Sequence, residues 1–488
     1  MSINLTTSRN LTMLTDFYEI TMANGYLECG FQDKEAVFDM FFRKVPDNAG
    51  FAIFAGLEQL ITFLDNLKFS EDDLEYLRKS KMFSEEFLDY LENFTFDCDV
   101  WSVPEGTPVF PNEPVIIVKG PIIQAQFIET MLLTTVNHQS LIATKANRIV
   151  RAARGKEVME FGARRAQGYD AAIYGSRAAY IGGCSSTSCV ISANEYDIPV
   201  AGTMAHSWIQ TFDSEYEAFK CYANIYPDNC IFLVDTYNVL KSGVPNAIRV
   251  FDEILKPKGI IPKGIRIDSG DIAYLSKKSR ALLDQAGYQD VKIIASNSLD
   301  ENIIRDLQEQ GAAVDIYAVG ENLITAKSAP VFGGVYKLCA VEHNGKLQPR
   351  IKLSETIEKV NLPHLKKLYR FYSKETGRNV ADLVALWDEE INVEHGMTIF
   401  DPNASWKKKF LTNIEKKELL QPIFQRGKLV YQMPSLEEIR NYCMEQVELL
   451  WDEVKRFEFP HKYYVDLSFK LWDLKNSMLS DLGARGLE

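Results

Sequence analysis

Ile265-Arg266-Ile267-Asp268-Ser269-Gly270-Asp271 is a short apolar run that stops at a polar, glycine-containing turn, and residues 272–283 follow at helical spacing before Gly287. A run this short and continuous suits a strand buried on both faces of a parallel sheet. The same unit recurs on both sides. Apolar cores at 158–161, 198–201, 230–234, 291–295 and 314–319 run into EFGARRA (160–166), AGTMAHS (201–207), DTYN (235–238), SNSLDE (296–301) and VGEN (319–322). Strands alternating with helices predict an α/β fold, an irregular (β/α) barrel over 141–340. Such barrels gather their chemistry at the C-terminal ends of the strands, so these endings are expected to meet in space.

The flanks lack this cadence. Residues 1–140 read as an N-terminal α+β domain: a strand at 36–43, helices at 58–67 and 84–91, and hairpins among the prolines of 96–118. A helix over 144–154 leads into the repeats. Residues 341–488 read as a mixed, partly helical extension that completes the barrel or the N-terminal domain. In it Ser435 and Glu438 form a capping box before Leu436, Ile439, Cys443, Val447, Leu450 and Val454 at helical spacing. The basic clusters at 366–370 and 407–409 read as solvated faces.

The 488 residues are 46% hydrophobic and 25% charged, the composition of a globular chain. A formal charge of −13 argues against broad nucleic-acid or anionic-membrane binding. The start lacks a basic-then-apolar leader, and the longest apolar stretch, 115–136, is broken by Lys119, Pro121, Gln124, Gln126 and Glu129. The expected place is the cytoplasm. Eight cysteines without zinc spacing suit reduced, buried thiols, and Cys184 and Cys189 read as small-residue packing.

Several endings carry reactive groups. His206 follows an apolar run among small neighbours, which leaves its imidazole accessible; a hydrogen-bonded loop histidine is the blander reading. Asp268 and Asp271 suit ribose hydroxyls or a Mg²⁺-bound pyrophosphate, although either aspartate also suits a helix N-cap. Arg266 shares a face with Asp268, and an arginine inside a barrel needs an anionic partner such as a ligand carboxylate. Arg164 and Arg165 at a strand end suit bidentate anion binding or surface salt bridges, and adjacent strand residues would point them to opposite faces. Gly320 suits a phosphate at a helix N-terminus, or simply a turn.

Taken in order, DFYEITMANGY (16–26), EFGARRAQG, GTMAHSW, DTYN, RIDSGD, SNSLDE and VGENL closely resemble the nicotinate phosphoribosyltransferase family from about Thr12 to Leu338, and more weakly beyond. The resemblance implies that nicotinate and phosphoribosyl pyrophosphate give nicotinate mononucleotide and pyrophosphate. It also implies ATP hydrolysis coupled through phosphorylation of His206, with Mg²⁺, in NAD salvage. Tyr18, reaching in from the neighbouring subunit of a homodimer, would sandwich the pyridine against Phe161. Arg266, with Thr203 and Arg164, would hold the carboxylate. Asp235 and Asp268 would face the ribose, Mg²⁺ or the phosphohistidine, and Gly320 would cradle the ribose phosphate.

Glu321 departs from the pattern, since some relatives carry Thr there. A nicotinamide-specific enzyme fits less well, because Ala201-Gly202-Thr203 lacks the Asp expected before the histidine. A non-catalytic protein on the same fold is disfavoured by the joint retention of His206, Asp235, Arg266, Asp268 and Gly320.

Overall fold

The computed structural model describes residues 9–352 and 360–485. It divides into two compact units: residues 142–330 form one, and residues before 142 together with those from 331 onward form the other.

The 142–330 unit is built on a six-stranded parallel sheet. We label its strands β1 (Glu157–Glu160), β2 (Ser186–Thr187), β3 (Ile231–Leu233), β4 (Gly264–Ile267), β5 (Lys292–Ala295) and β6 (Ile316–Val319). Their spatial order is β2-β1-β6-β5-β4-β3, a curled half-barrel open between β3 and β2. The fold is α/β. Buried on both faces, β4 and β5 keep Ile265, Ile267, Ile293 and Ile294 almost fully enclosed. Behind β3, Phe219, Phe232 and Phe251 stack in series at 4.5 and 5.4 Å. Buried aromatics of this size, about 150–250 Å² each, dominate such a core.

Two local expectations change. The run 198–201 forms no strand; Val200 makes one isolated bridge to Thr187, and Ser186–Thr187 takes the sheet position instead. Pro199 has no N–H to extend a ladder, so pairing stops at Thr187 N to Pro199 O and Ala201 N to Thr187 O. The entering helix is also longer than 144–154: it runs Glu129–Ala152, because Met131, Leu132 and Val136 continue its buried side.

The second unit carries a seven-stranded antiparallel sheet in which Glu35–Phe42 lies between Gly334–His343 and Ile116–Pro121. A four-stranded sheet is centred on Lys366–Ser373 and Asn379–Leu386. The basic cluster in the first of these strands is not solvated. Lys366 is fully buried against Asp39 at 2.8 Å, and Arg370 is fully buried against Asp382 at 2.6 Å. Both residues alternate with Leu368 on the face turned to the core, so each needs its carboxylate. Lys407, Lys408 and Lys409 are exposed, as expected. The capping box at Ser435 and Glu438 forms with both reciprocal bonds, and Ile439, Cys443 and Val447 are buried beneath it. Among the described residues no helix is long and apolar enough to cross a membrane.

Candidate active site

Parallel pairing places the C-terminal ends of β3, β4, β5, β6 and β1 in one row. Asp235, Asp268, Ser296, Gly320 and Phe161 follow those ends in that order. Two linked hydrogen-bond groups occupy the β3–β5 side. His206 opens a five-residue helix after the Thr203 loop and sets Nε2 3.3 Å from Asp235 Oδ1. The other oxygen of Asp235 accepts from Ser269 Oγ at 2.5 Å. The Asp235 carboxylate is 1% exposed and the imidazole 39%, so a buried anion orients an accessible ring.

Arg266 projects from β4 with its guanidinium almost enclosed. Its Nε donates to Ser296 Oγ at 3.1 Å, Nη1 donates to Thr203 Oγ1 at 2.5 Å, and Nη2 lies 3.4 Å from Asp268 Oδ1. Ser296 Oγ in turn donates to Asp268 Oδ1. The turn between Asp268 and Asp271 depends on Gly270, whose φ of +84° is open to glycine at little cost. Asp271 takes the helix N-cap role: its Oδ1 accepts from Tyr274 N at 2.9 Å and caps helix Ile272–Gln285.

Phe161 and Gly320 sit at the neighbouring ends. Phe161 N donates to Val319 O at 2.7 Å, and a Cβ on Gly320 would stand 3.1 Å from Phe161 O. A Cβ on Gly162 would come within 2.5 Å of Ile324, so only glycine permits this approach. Beneath the turn, buried Glu160 accepts from Gly162 N, Ser176 Oγ (3.1 Å) and Thr187 Oγ1 (2.7 Å). Burial nevertheless pushes its carboxyl above the usual range.

Arg164 and Arg165 lie not on a strand but on the exposed 3-10 turn Ala163–Arg165, so strand alternation does not set their directions. Arg165 approaches Glu321 at 3.7 Å, and Lys327 pairs with Glu321 at 2.7 Å. The Lys327 hydrogen bond and charge hold the Glu321 carboxyl below its usual range. Two cations thus offset the anion beside Gly320. The helix after Gly320 spans only Glu321–Ile324.

Tyr18 lies in the other unit, on helix Phe17–Glu28, and the residue is 44% exposed. Burial of its hydroxyl, with Glu129 and Glu19 nearby, pushes the phenol above its usual range. Glu19 anchors the helix, taking Thr130 N at 3.1 Å and the hydroxyls of Thr15 and Thr130. Burial raises its carboxyl to about 7. With an unfolded value near 4.3, the folded chain holds this proton better, so the resulting stability is complete below about pH 4.3 and fades as pH rises through about 7. Glu19→Gln is expected to flatten the melting temperature across that window; an unchanged slope in thermal scans would refute it.

Ser269, Ser296 and Glu160 also carry this geometry, and nothing in the sequence marks them. All three stand inside the quoted motifs, but a serine or a buried glutamate shows no role until its partners are known. Among the described residues no group of three or more His, Cys, Asp or Glu could hold a metal ion.

Three family profiles match in order: the nicotinate phosphoribosyltransferase (NAPRTase) N-terminal domain over residues 13–137, the NAPRTase family over 156–352, and the C-terminal domain over 365–475. The chain belongs to the nicotinate phosphoribosyltransferase family. A nicotinate phosphoribosyltransferase of Bacillus subtilis (strain 168) is 45% identical over 476 residues, covering 98% of this chain and 96% of the relative. One from Homo sapiens is 31% identical, covering 96% of each. The crystal structure of human nicotinic acid phosphoribosyltransferase superposes with a TM-score of 0.83 at 28% identity, over 95% of this chain and 99% of that one. Like those nicotinate phosphoribosyltransferases the chain is an enzyme, and its part in NAD salvage follows from the family.

Proposed function

We propose that the enzyme joins nicotinate to phosphoribosyl pyrophosphate, giving nicotinate mononucleotide and pyrophosphate, and couples this to hydrolysis of ATP through a phosphohistidine at His206. The observation that carries the reading is the meeting of Asp235, Arg266 and Asp268, at the adjoining ends of β3 and β4, with Thr203 and His206 from the loop and helix beside them. In this reading the Arg266 fork, with Thr203 beside it, takes the pyridine carboxylate, and Phe161 stacks the ring. Tyr18 of a neighbouring subunit covers its other face in a homodimer. Gly320 offers backbone N–H to the ribose phosphate, with Arg164 and Arg165 adding positive charge nearby.

The coupling step follows from the imidazole's setting. A carboxylate only accepts, so a proton on Nε2 satisfies Asp235 and leaves the Nδ1 lone pair as nucleophile. Nδ1 attacks the terminal phosphorus of ATP, the N–P bond forms, and ADP leaves with the electrons of the broken P–O bond. Water later takes the phosphoryl group.

Asp268 also suits Mg²⁺ carried by the pyrophosphate, since such ions need only one or two carboxylates besides substrate oxygens. Its Oδ1 is taken by Ser296 and Arg266, which leaves Oδ2 for the ion. Asp271 would have to serve through the oxygen its cap leaves over. Five buried cysteines accord with the reducing cytoplasm as its place.

Product assays with nicotinate, nicotinamide and quinolinate, each with and without ATP and Mg²⁺, test the whole reading. Nicotinate alone is expected to react, faster with ATP. Equal turnover of nicotinamide, or none of nicotinate, would overturn it.

A further inference from the structure

Arg266 and Asp268 leave β4 two residues apart on one face, an arrangement that invites a closed bidentate pair with N···O near 2.7–2.9 Å. The pair does not close. Nη2 reaches a single oxygen of Asp268, at 3.4 Å. Between them stands Ser296, 5% exposed, whose one hydroxyl accepts from Arg266 Nε at 3.1 Å and donates to that same oxygen. Thr203 pulls Nη1 the other way at 2.5 Å.

We propose that Ser296 is a positioning residue that determines specificity for an anionic pyridine, by holding Asp268 off the guanidinium so that the fork stays open to a substrate carboxylate. The inference rests on Arg266 reading that carboxylate, as set out above. The physical reason is competition. A free arginine beside a free aspartate satisfies itself, and an incoming carboxylate must then displace an internal one of equal charge. A hydroxyl that engages both removes the internal competitor without adding charge of its own. It also leaves the net charge of the pocket unchanged, so its effect falls on a carboxylate ligand and not on a neutral one.

Ser296 begins the loop in which Asn297 and Ser298 both take left-handed φ, at 85° and 49°. Such conformations persist only where the surroundings hold them. Asn322, on the short helix after Gly320, supplies that hold through Nδ2 to Ser298 O (2.9 Å) and Leu299 O (3.2 Å). The serine is therefore fixed from the chain side as well as by its two partners.

Steady-state kinetics of the full-length enzyme decide the matter. Ser296→Ala is expected to raise KM for nicotinate about tenfold with kcat changed less than threefold. The inhibition constant of nicotinamide should stay within twofold. Ser296→Thr, which keeps the hydroxyl, should restore KM to within threefold, and circular dichroism should show Ser296→Ala folded as the parent is. Overturning results are a fall in kcat at constant KM, parallel weakening of nicotinate and nicotinamide, or failure of Thr to rescue. Absence of nicotinate turnover in the unsubstituted enzyme would overturn the parent reading and this one together, whereas the other results overturn this one alone.

Discussion

Arg266→Ala is expected to lower kcat/KM for nicotinate by roughly two orders of magnitude, chiefly through KM. The guanidinium is almost enclosed, so its bonds to a carboxylate form away from bulk water. A hydrogen bond to a charged group contributes about 1.5–3 kcal/mol, and two of them exceed the roughly 2.7 kcal/mol that a hundredfold requires. Arg266→Lys keeps the charge and loses the fork, and it should recover only part of the deficit. Truncation also strips Asp268, Ser296 and Thr203 of a partner, so thermal unfolding should accompany the kinetics to separate lost binding from lost structure. A loss below tenfold in a well-folded variant would move carboxylate reading elsewhere, with Arg164 and Arg165 next in line.

His206→Ala is expected to abolish the acceleration by ATP altogether while a slow, ATP-independent transfer survives. The imidazole bonds Asp235 through Nε2 and is itself 39% exposed, so its removal deletes a phosphoryl acceptor more than a structural prop. Bond exchange at the sugar needs oriented charge, not a protein nucleophile, and the Arg266 and Asp268 machinery remains. Terminal-labelled ATP should place acid-labile phosphate on the parent enzyme and none on the variant. Asp235→Asn should slow labelling without removing the histidine, because the amide can also donate and no longer fixes the tautomer. Undiminished ATP dependence in His206→Ala would sink the phosphohistidine.

Much of this architecture was legible because buried parallel strands are written as short apolar runs, and five of the six expected runs contain strands. Residues 198–201 have the apolar character of a strand, but Pro199 lacks the N–H donor that a ladder needs. Arg266 with Asp268 was readable from two-residue spacing alone. Its arrest by Ser296 was not, since that contact joins residues 30 positions apart. Lys366 and Arg370 looked like solvent-facing charge because their carboxylates, Asp39 and Asp382, come from separate strands. Asp271 carried two readings at once, and its cap bond is the one the structure holds.

The long sheet pairs Glu35–Phe42 with Gly334–His343 across the whole intervening chain, whereas every strand of the half-barrel lies between Glu157 and Val319. On a ribosome adding about 5–20 residues per second, the early strand waits roughly 15 to 60 s for its partner. The half-barrel, complete in sequence before that partner emerges, can settle first. Until then an apolar strand edge stands open, which exposes the newborn chain, more than the finished enzyme, to edge-to-edge association.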